Sequence, residues 1–394
     1  MVPKGWMLLQ VSDICKLQNG NSFNPHEWDT KGLPIIRIQN LNGSGNYNYF
    51  SGVPQDKWLV EPGQLLFSWA GTKGVSFGPF IWNGPKGVLN QHIYKVFANE
   101  NVHEHWLYLA LLHITQKIEA QAHGFKSTLL HVQKKDIDNQ FVLTPPVAEQ
   151  KKISQILSTW NKAISVTEKL LANSQQQKKA LIQQLLTGKK RLLDENGVRF
   201  SGEWCTCTLS EVAHIIMGSS PKSEAYNDNG LGLPLIQGNA DIKCRVSCPR
   251  VYTSDITKEC TPGDILLSVR APVGTVALSQ HKACIGRGIS AIKSKRKMSQ
   301  SFLYQWFLWF EPKWCYLSQG STFESINSDD IKTLKLSVPN FEEQQKIAAV
   351  LSAADTEIST LEKKLACLKN EKKALMQQLL TGKRRVKVDE AVAV

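Results

Sequence analysis

Two stretches decide the architecture: "KKALIQQLLTGKKR" (178–191) and "KKALMQQLLTGKRR" (372–385) are nearly one sequence written twice, 194 positions apart. Extended without gaps, residues 149–191 and 343–385 agree at 24 of 43 positions. The repetition continues more faintly between them. "GLP" recurs at 32–34 and 232–234, "PGQLLFSWA" (62–70) matches "PGDILLSVRA" (262–271) in type and place, and a "DI" precedes both "TPPVAEQ" and "SVPNFEEQ". A period this long is no solenoid. It describes a variable block and a constant block, each present twice, and hence a pseudo-two-fold molecule made from one chain.

The constant blocks read as long helices. Residues 149–187 contain no Gly or Pro and are rich in Ala, Leu, Gln and Lys; Pro145–Pro146 stand before the block and Gly188 after it, with Pro339 and Gly382 in the same roles in the second copy. About 40 residues of helix span roughly 60 Å. Their apolar residues keep a heptad: Ile153, Leu157, Trp160, Ile164, Leu171, Leu181 and Leu185 in the first copy, and Ile347, Leu351, Ala354, Ile358, Leu361, Leu365, Leu368, Leu375 and Leu379 in the second. A narrow stripe of this kind, sustained over more than four heptads, predicts a coiled-coil pair. Lys178 and Lys372 interrupt it at equivalent places, either fixing register or snorkelling outward. With a variable block between them, the helices are expected to pair antiparallel.

The 394-residue chain is long enough for two or three domains and is 42% hydrophobic and 21% charged. No apolar run has the length of a membrane span, the N-terminus lacks the features of a signal peptide, and nine scattered cysteines suggest reduced thiols. Together these point to a cytoplasmic protein. The net charge of +13 favours a polyanionic partner, and residues 146–200 hold the largest local excess, +6.

Each variable block mixes strand-like runs with one amphipathic helix. The first offers 33–38, 64–69 and 92–97 as strands and 103–122 as a helix; the second offers "LPLIQ", "DILLSV", "GTVALS" and "GISAIK" as strands and 299–310 as a helix. Between them lie glycine-bearing loops with amide and basic side chains. In the first block these supply Arg37, Gln39, Asn40, Trp69, Lys73, Gln91, His92 and Lys126; in the second, Gln237, Asn239, Lys243, Arg245, Arg270, Arg287, Ser321 and Thr322. Arg and Lys match guanine edges or phosphates, Asn and Gln match adenine, and glycine lets backbone come close to a ligand. Shared scaffold spacing with divergent loops is the pattern expected if each block reads a different ligand.

A search for catalytic motifs finds little. "LTGKK" (186–190) resembles a P-loop tail, but Gln183 stands where the first glycine belongs. No GxGxxG follows a strand, and HExxH and Asn-Pro-Pro-aromatic are absent; "TPPV" (144–147) is a helix start. Cys205, Cys207, Cys244 and Cys248 do not keep a standard zinc spacing, and the histidines are dispersed, so no catalytic or metal residue is assigned.

"EEQQKIAAVLSAADTEI…KKALMQQLLTGKRR", "PPVAEQKKI", "GWMLLQVSDI", "PGDILLSVRAPVGTVAL", "ACIGRGISAIKSK" and "QGSTFESINSDDIKTLKLSVP" occur in an order that resembles the specificity (S) subunits of type I restriction–modification systems, over essentially the whole chain. The first variable block follows the pattern more loosely. The resemblance implies an α+β fold: two related target recognition domains separated by an antiparallel pair of long coiled-coil helices. It divides the chain into domain 1 (1–145), spacer helix 1 (146–191), domain 2 (192–338, with an entry linker at 192–201), spacer helix 2 (339–385) and a tail (386–394). It further implies that each domain reads half of a bipartite, asymmetric double-stranded DNA sequence. The helices would set the spacer and dock two methylation (M) subunits. Restriction (R) subunits would complete the complex, with S-adenosylmethionine, ATP and Mg on the partners and no catalysis or cofactor in this chain. A prokaryotic, nucleoid-associated setting is implied by the resemblance alone. A stand-alone DNA-modifying enzyme and a structural coiled-coil adaptor are the alternatives.

Overall fold

The computed structural model describes residues 2–121, 129–317 and 325–388. The chain forms two compact units: Met1–Thr167 with Lys364–Val394, and Glu168–Lys363. Lys126, Ser321 and Thr322 lie outside the described residues.

In the first unit the strand Ile93–Ala98 is flanked by Cys15–Asn19 and Leu65–Ser68, with Gly78–Ile81 beyond, all antiparallel. A second four-stranded sheet runs Asn48–Phe50, Leu33–Ile36, Gly87–Leu89, Leu59–Val60, and its Leu33–Ile36 and Gly87–Leu89 strands are parallel. Met7–Gln10 pairs with Phe141–Thr144, and the helix Glu104–Gln121 supplies the largest buried face. The second unit repeats the plan. Ile289–Ser294 lies between Ala213–Met217 and Ile265–Ser268, Leu233–Ile236 runs parallel to Ala283–Ile285, Cys205–Thr208 pairs with Lys335–Val338, and the helix is Gln300–Phe310. The strand expected over 33–38 stops at Ile36. Asn40 accepts the Arg37 N–H at 2.9 Å, and the chain turns into a short helix at Ile38–Leu41.

The constant blocks are the uninterrupted helices Val147–Leu185 and Phe341–Leu380. Every seam position from Ile153 to Leu185 and from Ile347 to Leu379 is buried or half-buried. The gaps in the apolar series of the first helix are Thr167 and Ser174, both buried; Ser174 Oγ donates to Glu357 at 3.0 Å in the second unit. At its start each long helix joins its own unit's core: Ile153 and Leu157 in the first, Ile347 and Leu351 in the second. The same cores take the end of the other helix, through Leu379 and Leu380 in the first unit and Leu185 and Leu186 in the second. Within each unit, therefore, one helix begins beside the end of the other, which is antiparallel pairing.

The repeated "EQ" and "TGK-R" residues explain this geometry. Gln150, fully buried, accepts the His103 N–H at 2.8 Å and donates to Pro145 O at 2.9 Å; Gln344 does the same for Ser299 and Pro339, at 2.8 and 2.9 Å. Each glutamine thus fixes the entry of its unit's globular helix. Gly188 (φ +69°) and Gly382 (φ +67°) close the long helices in the left-handed conformation, with Lys190 N–H donating to Gln184 O and Arg384 N–H to Gln378 O. The reversal delivers Arg191 to Glu343, at 2.7 and 2.6 Å, and Arg385 to Glu149, at 3.0 and 2.5 Å. Both are bidentate, the strongest geometry for this pair. Trp6 Nε1 also donates to Glu149 at 3.2 Å.

The seam lysines differ. Lys178 forms an ion pair with Asp355, which also accepts from the buried Gln305 at 2.9 Å. Lys372 has Asn161 at the position matching Asp355, and burial pushes its pKa down.

Because Glu343 is fully buried and Arg191 keeps some solvent access, removing the carboxylate strands a poorly hydrated guanidinium. Glu343→Ala is expected to destabilise the second unit by roughly 3 kcal/mol, the low end of the range for breaking a buried pair, read as a lower urea midpoint for that unit.

Candidate nucleic-acid interface

The loops singled out in the sequence converge because the same backbone junction is built twice. In the second unit Gly286 N–H donates to Ile236 O at 2.8 Å, Val269 N–H to Gly288 O at 2.9 Å, and Ile326 N–H to Val269 O at 3.0 Å. In the first unit the corresponding bonds are Asn90 to Ile36 at 3.0 Å, Trp69 to His92 at 3.3 Å and Val132 to Trp69 at 3.0 Å. Three loops therefore meet at one end of the paired strands in each unit. Glycine makes the approach feasible: a Cβ on Gly288 would sit 2.3 Å from Gln237 O, and one on Gly218 would sit 2.2 Å from Gly286 O.

In the second unit this places Gln237, Arg270 and Arg287 on three adjoining loops, all exposed. Neither guanidinium has a side-chain partner among the described residues, so both are free to bond outward. Asp241, buried, holds the first loop by accepting the Gln237 N–H at 2.8 Å and Arg250 Nε at 2.9 Å. Asn239 and Lys243 flank it. Arg245 is placed otherwise: it donates to Glu311 at 2.5 Å and to Val276 O at 3.1 Å. It ties a turn to the globular helix and is not free in the way Arg270 and Arg287 are.

The first unit assembles a different set at the same junction. Arg37 donates to Asn48 Oδ1 at 2.8 Å, and its guanidinium lies 4.9 Å from the Trp28 ring centre. Gln39 is exposed, whereas Asn40 is 5% exposed, with its amide donating to Ser44 O and Asn46 O at 3.0 Å. The sequence reading offered Asn40 as a DNA-contact candidate; in the structure it is buried and its amide braces the loop. Lys73 Nζ donates to Glu119 O at 2.5 Å, and Glu119 accepts the Gly74 N–H at 2.7 Å, which fastens this loop to the globular helix.

Trp69 is the centre of an aromatic group that the sequence reading saw only in part. Its Nε1 donates to Gln91 O at 3.1 Å, His92 and His131 lie edge-on at 5.0 and 4.6 Å, and Tyr94 stacks at 6.0 Å. His131 and Tyr94 were missed. Only the pairing of Leu129–His131 with Ala70–Thr72 brings His131 alongside Trp69, and no local motif marks it. Gln91 faces His92 at 3.3 Å and occupies the place held by Arg287 in the second unit.

Among the described residues no group of three or more His, Cys, Asp or Glu side chains is placed to hold a metal, and no helix is long and apolar enough to cross a membrane.

Two sibling units thus carry unlike side chains on a common backbone junction. The family model described as "Type I restriction modification DNA specificity domain" matches the chain twice, over residues 3–173 and 201–370. A putative type I restriction enzyme MjaX specificity subunit of Methanocaldococcus jannaschii is 32% identical, with 98% of this chain and 95% of the relative covered. The EcoBI specificity subunit of Escherichia coli is 23% identical over 87% of this chain and 77% of its own length. The chain belongs to the type I restriction–modification DNA specificity family. Among solved structures, a chain from work on complex assembly and conformational transition of the type I R-M system aligns with a TM-score of 0.63 at 23% identity, covering 96% of this chain and 98% of the other. The HsdS subunit of Thermoanaerobacter tengcongensis aligns at 0.51 and 22%, covering 97% and 98%.

Burial and the neighbouring His131 both push the His92 pKa below its usual value. His131→Ala removes one positive neighbour, so the His92 midpoint in an NMR titration is expected to rise toward 6.5. A fall or no change would contradict the packing described. The folded state binds fewer protons at His92 than the unfolded chain does. That part of the stability is present above the unfolded pKa and declines as pH falls through the depressed folded value.

Proposed function

We propose that each unit reads one half of a bipartite, asymmetric DNA sequence through its three-loop junction. The observation that carries this is the twice-built junction with unlike side chains: Arg37, Gln39, Trp69, Gln91 and His92 in one unit, Gln237, Arg270 and Arg287 in the other. Arginine is suited to guanine and glutamine to adenine, so the Arg287-to-Gln91 exchange at one backbone position changes the preferred base. Lys126 in the first unit and Ser321 and Thr322 in the second are proposed as further contacts, with Asn239 and Lys243 toward the phosphates.

On this reading the chain supplies recognition and the chemistry belongs to its partners. Two M subunits dock on the paired helices and carry S-adenosylmethionine; R subunits bring ATP- and Mg-dependent steps. The helices run without a break from one unit into the other, and we assign them the spacer between the half-sites. Linking two modest readers multiplies their selectivity and raises the effective concentration of the second once the first is bound.

Arg270→Ala and Arg287→Ala are each expected to weaken discrimination at one half-site by about 1–3 kcal/mol and to leave the other half-site unchanged. Binding to duplexes mutated in one half at a time, at fixed salt, measures this; equal loss at both halves contradicts modular reading. Inserting one heptad into the long helices is expected to alter the tolerated spacer without altering either half-sequence, as seen by mapping modified adenines in host DNA. Methyl transfer or cleavage by the purified chain alone would overturn the non-catalytic assignment.

A further inference from the structure

Because the units share one plan, a position where they differ shows what one of them lacks. The helices Glu104–Gln121 and Gln300–Phe310 align by their entries. His103 and Ser299 each give their N–H to a buried glutamine, and each accepts the N–H of the residue three on, Trp106 at 3.4 Å and Phe302 at 3.3 Å. In this register Ala110 stands where the second unit has Trp306, His113 where it has Trp309, and Ile114 where it has Phe310. Trp306 is 2% exposed and stacks on Phe310 with centroids 5.0 Å apart and planes 13° from parallel.

In the first unit the corresponding face borders a cavity of about 260 Å³. Trp106, Ala110, Ile114 and Val142 form its walls, and Leu8 and Phe141, about half exposed, stand at its mouth. The mouth also differs from its sibling. By strand register Leu8 opposes Leu143 while Thr206 opposes Ser337, and Phe141 takes the place of Lys335. The mouth in the first unit is thus apolar where its counterpart in the second unit is polar, and the space behind it is bounded by Ala110 where the second unit has Trp306. Among the described residues no acidic side chain lines the cavity. Its polar lining is His113, the Lys117 ammonium and Thr381. Behind the wall the Trp106 indole N–H is fully buried with no hydrogen-bond partner among the described residues. Burial, and then the Lys117 charge, hold the His113 pKa below its usual value. A buried indole N–H ordinarily has an acceptor, and an exposed apolar collar around a cavity marks an interaction site.

We propose that this cavity is a docking pocket for a bulky aromatic side chain of a partner protein, presented with a carboxylate beside it, and that it takes one such partner per chain. The second unit shows what fits, since its own Trp306 occupies the matching position. The Lys117 ammonium, with no acidic side chain beside it among the described residues, gives the charge preference. Single occupancy follows because only the first unit carries Ala110 at this place. The pocket is independent of base reading at the junctions.

The test uses the full chain with ¹⁵N-labelled tryptophan, following the Trp106 indole N–H signal, assigned through Trp106→Phe. N-acetyl-Phe-Glu-amide at millimolar concentration is expected to shift that signal, with one site per chain. N-acetyl-Phe-Lys-amide is expected to bind roughly two- to fivefold more weakly, the size of one exposed charge interaction. Ala110→Trp should abolish the shift while DNA binding is retained. Lys117→Glu, an exposed change that does not depend on repacking, should reverse the preference between the two peptides. No shift with either peptide, a shift that persists in folded Ala110→Trp, or equal affinity for both peptides in the unaltered chain would overturn the proposal.

Discussion

The rest of the structure depends on the Glu–Arg clasp made twice, Glu343 with Arg191 and Glu149 with Arg385. Each clasp joins the first turn of one long helix to the residues just past the end of the other. A carboxylate at a helix start and a guanidinium at a helix end also suit the helix dipoles. In the second unit, where Glu343 is fully buried, the partners need each other more than they would at the surface; in the first, Arg385 keeps contact with solvent. Glycine makes the contact possible, because the chain reverses through a left-handed residue at Gly188 and Gly382 before the arginine arrives. The glutamine following each glutamate then ties the helix start to its unit's globular helix. One short repeated motif thereby links the helical pair to the reading domain in each unit.

Between the clasps the seam is only partly apolar. Thr167 and Ser174 are buried in the first helix, and the Lys178–Asp355 ion pair crosses the seam in the second unit. Such positions contribute less burial than leucine but penalise misregister, since a shifted helix would leave a hydroxyl or an ammonium unpaired. The two units do not share the device: Asp355 answers Lys178, while Asn161 stands at the matching place opposite Lys372. The same divergence governs the reading junctions, where backbone bonds are preserved and side chains are exchanged. Backbone hydrogen bonds constrain a fold without regard to side-chain identity, so a loop end can vary its chemistry while its position holds.

The long helices, their pairing sense and the duplication were legible because they rest on local rules: heptad spacing, absence of Gly and Pro, and a repeated stop signal. The loops that carry the candidate contacts were legible as glycine-bearing stretches with basic and amide side chains. What the structure adds is that Arg270, Arg287 and Gln237 are exposed and sit on adjoining loops. Asn40 and Arg245 were not separable from them by composition. An asparagine that braces its own loop and one that faces a ligand have the same local sequence, and only burial and the partner Glu311 tell them apart. His131 joined Trp69 through strand pairing across a long separation, which no window of residues encodes.

Periodicity along the chain, then, was enough to specify a twofold-repeated helix-plus-domain protein, because helix formation and seam burial depend on neighbours a few residues away. The tertiary structure alone assigned the partners of the repeated Glu and Arg, the convergence of three loops at each junction, and the cavity beside Ala110. Those contacts join residues remote in sequence, and their existence depends on the volume and hydrogen bonds left over once everything else has packed.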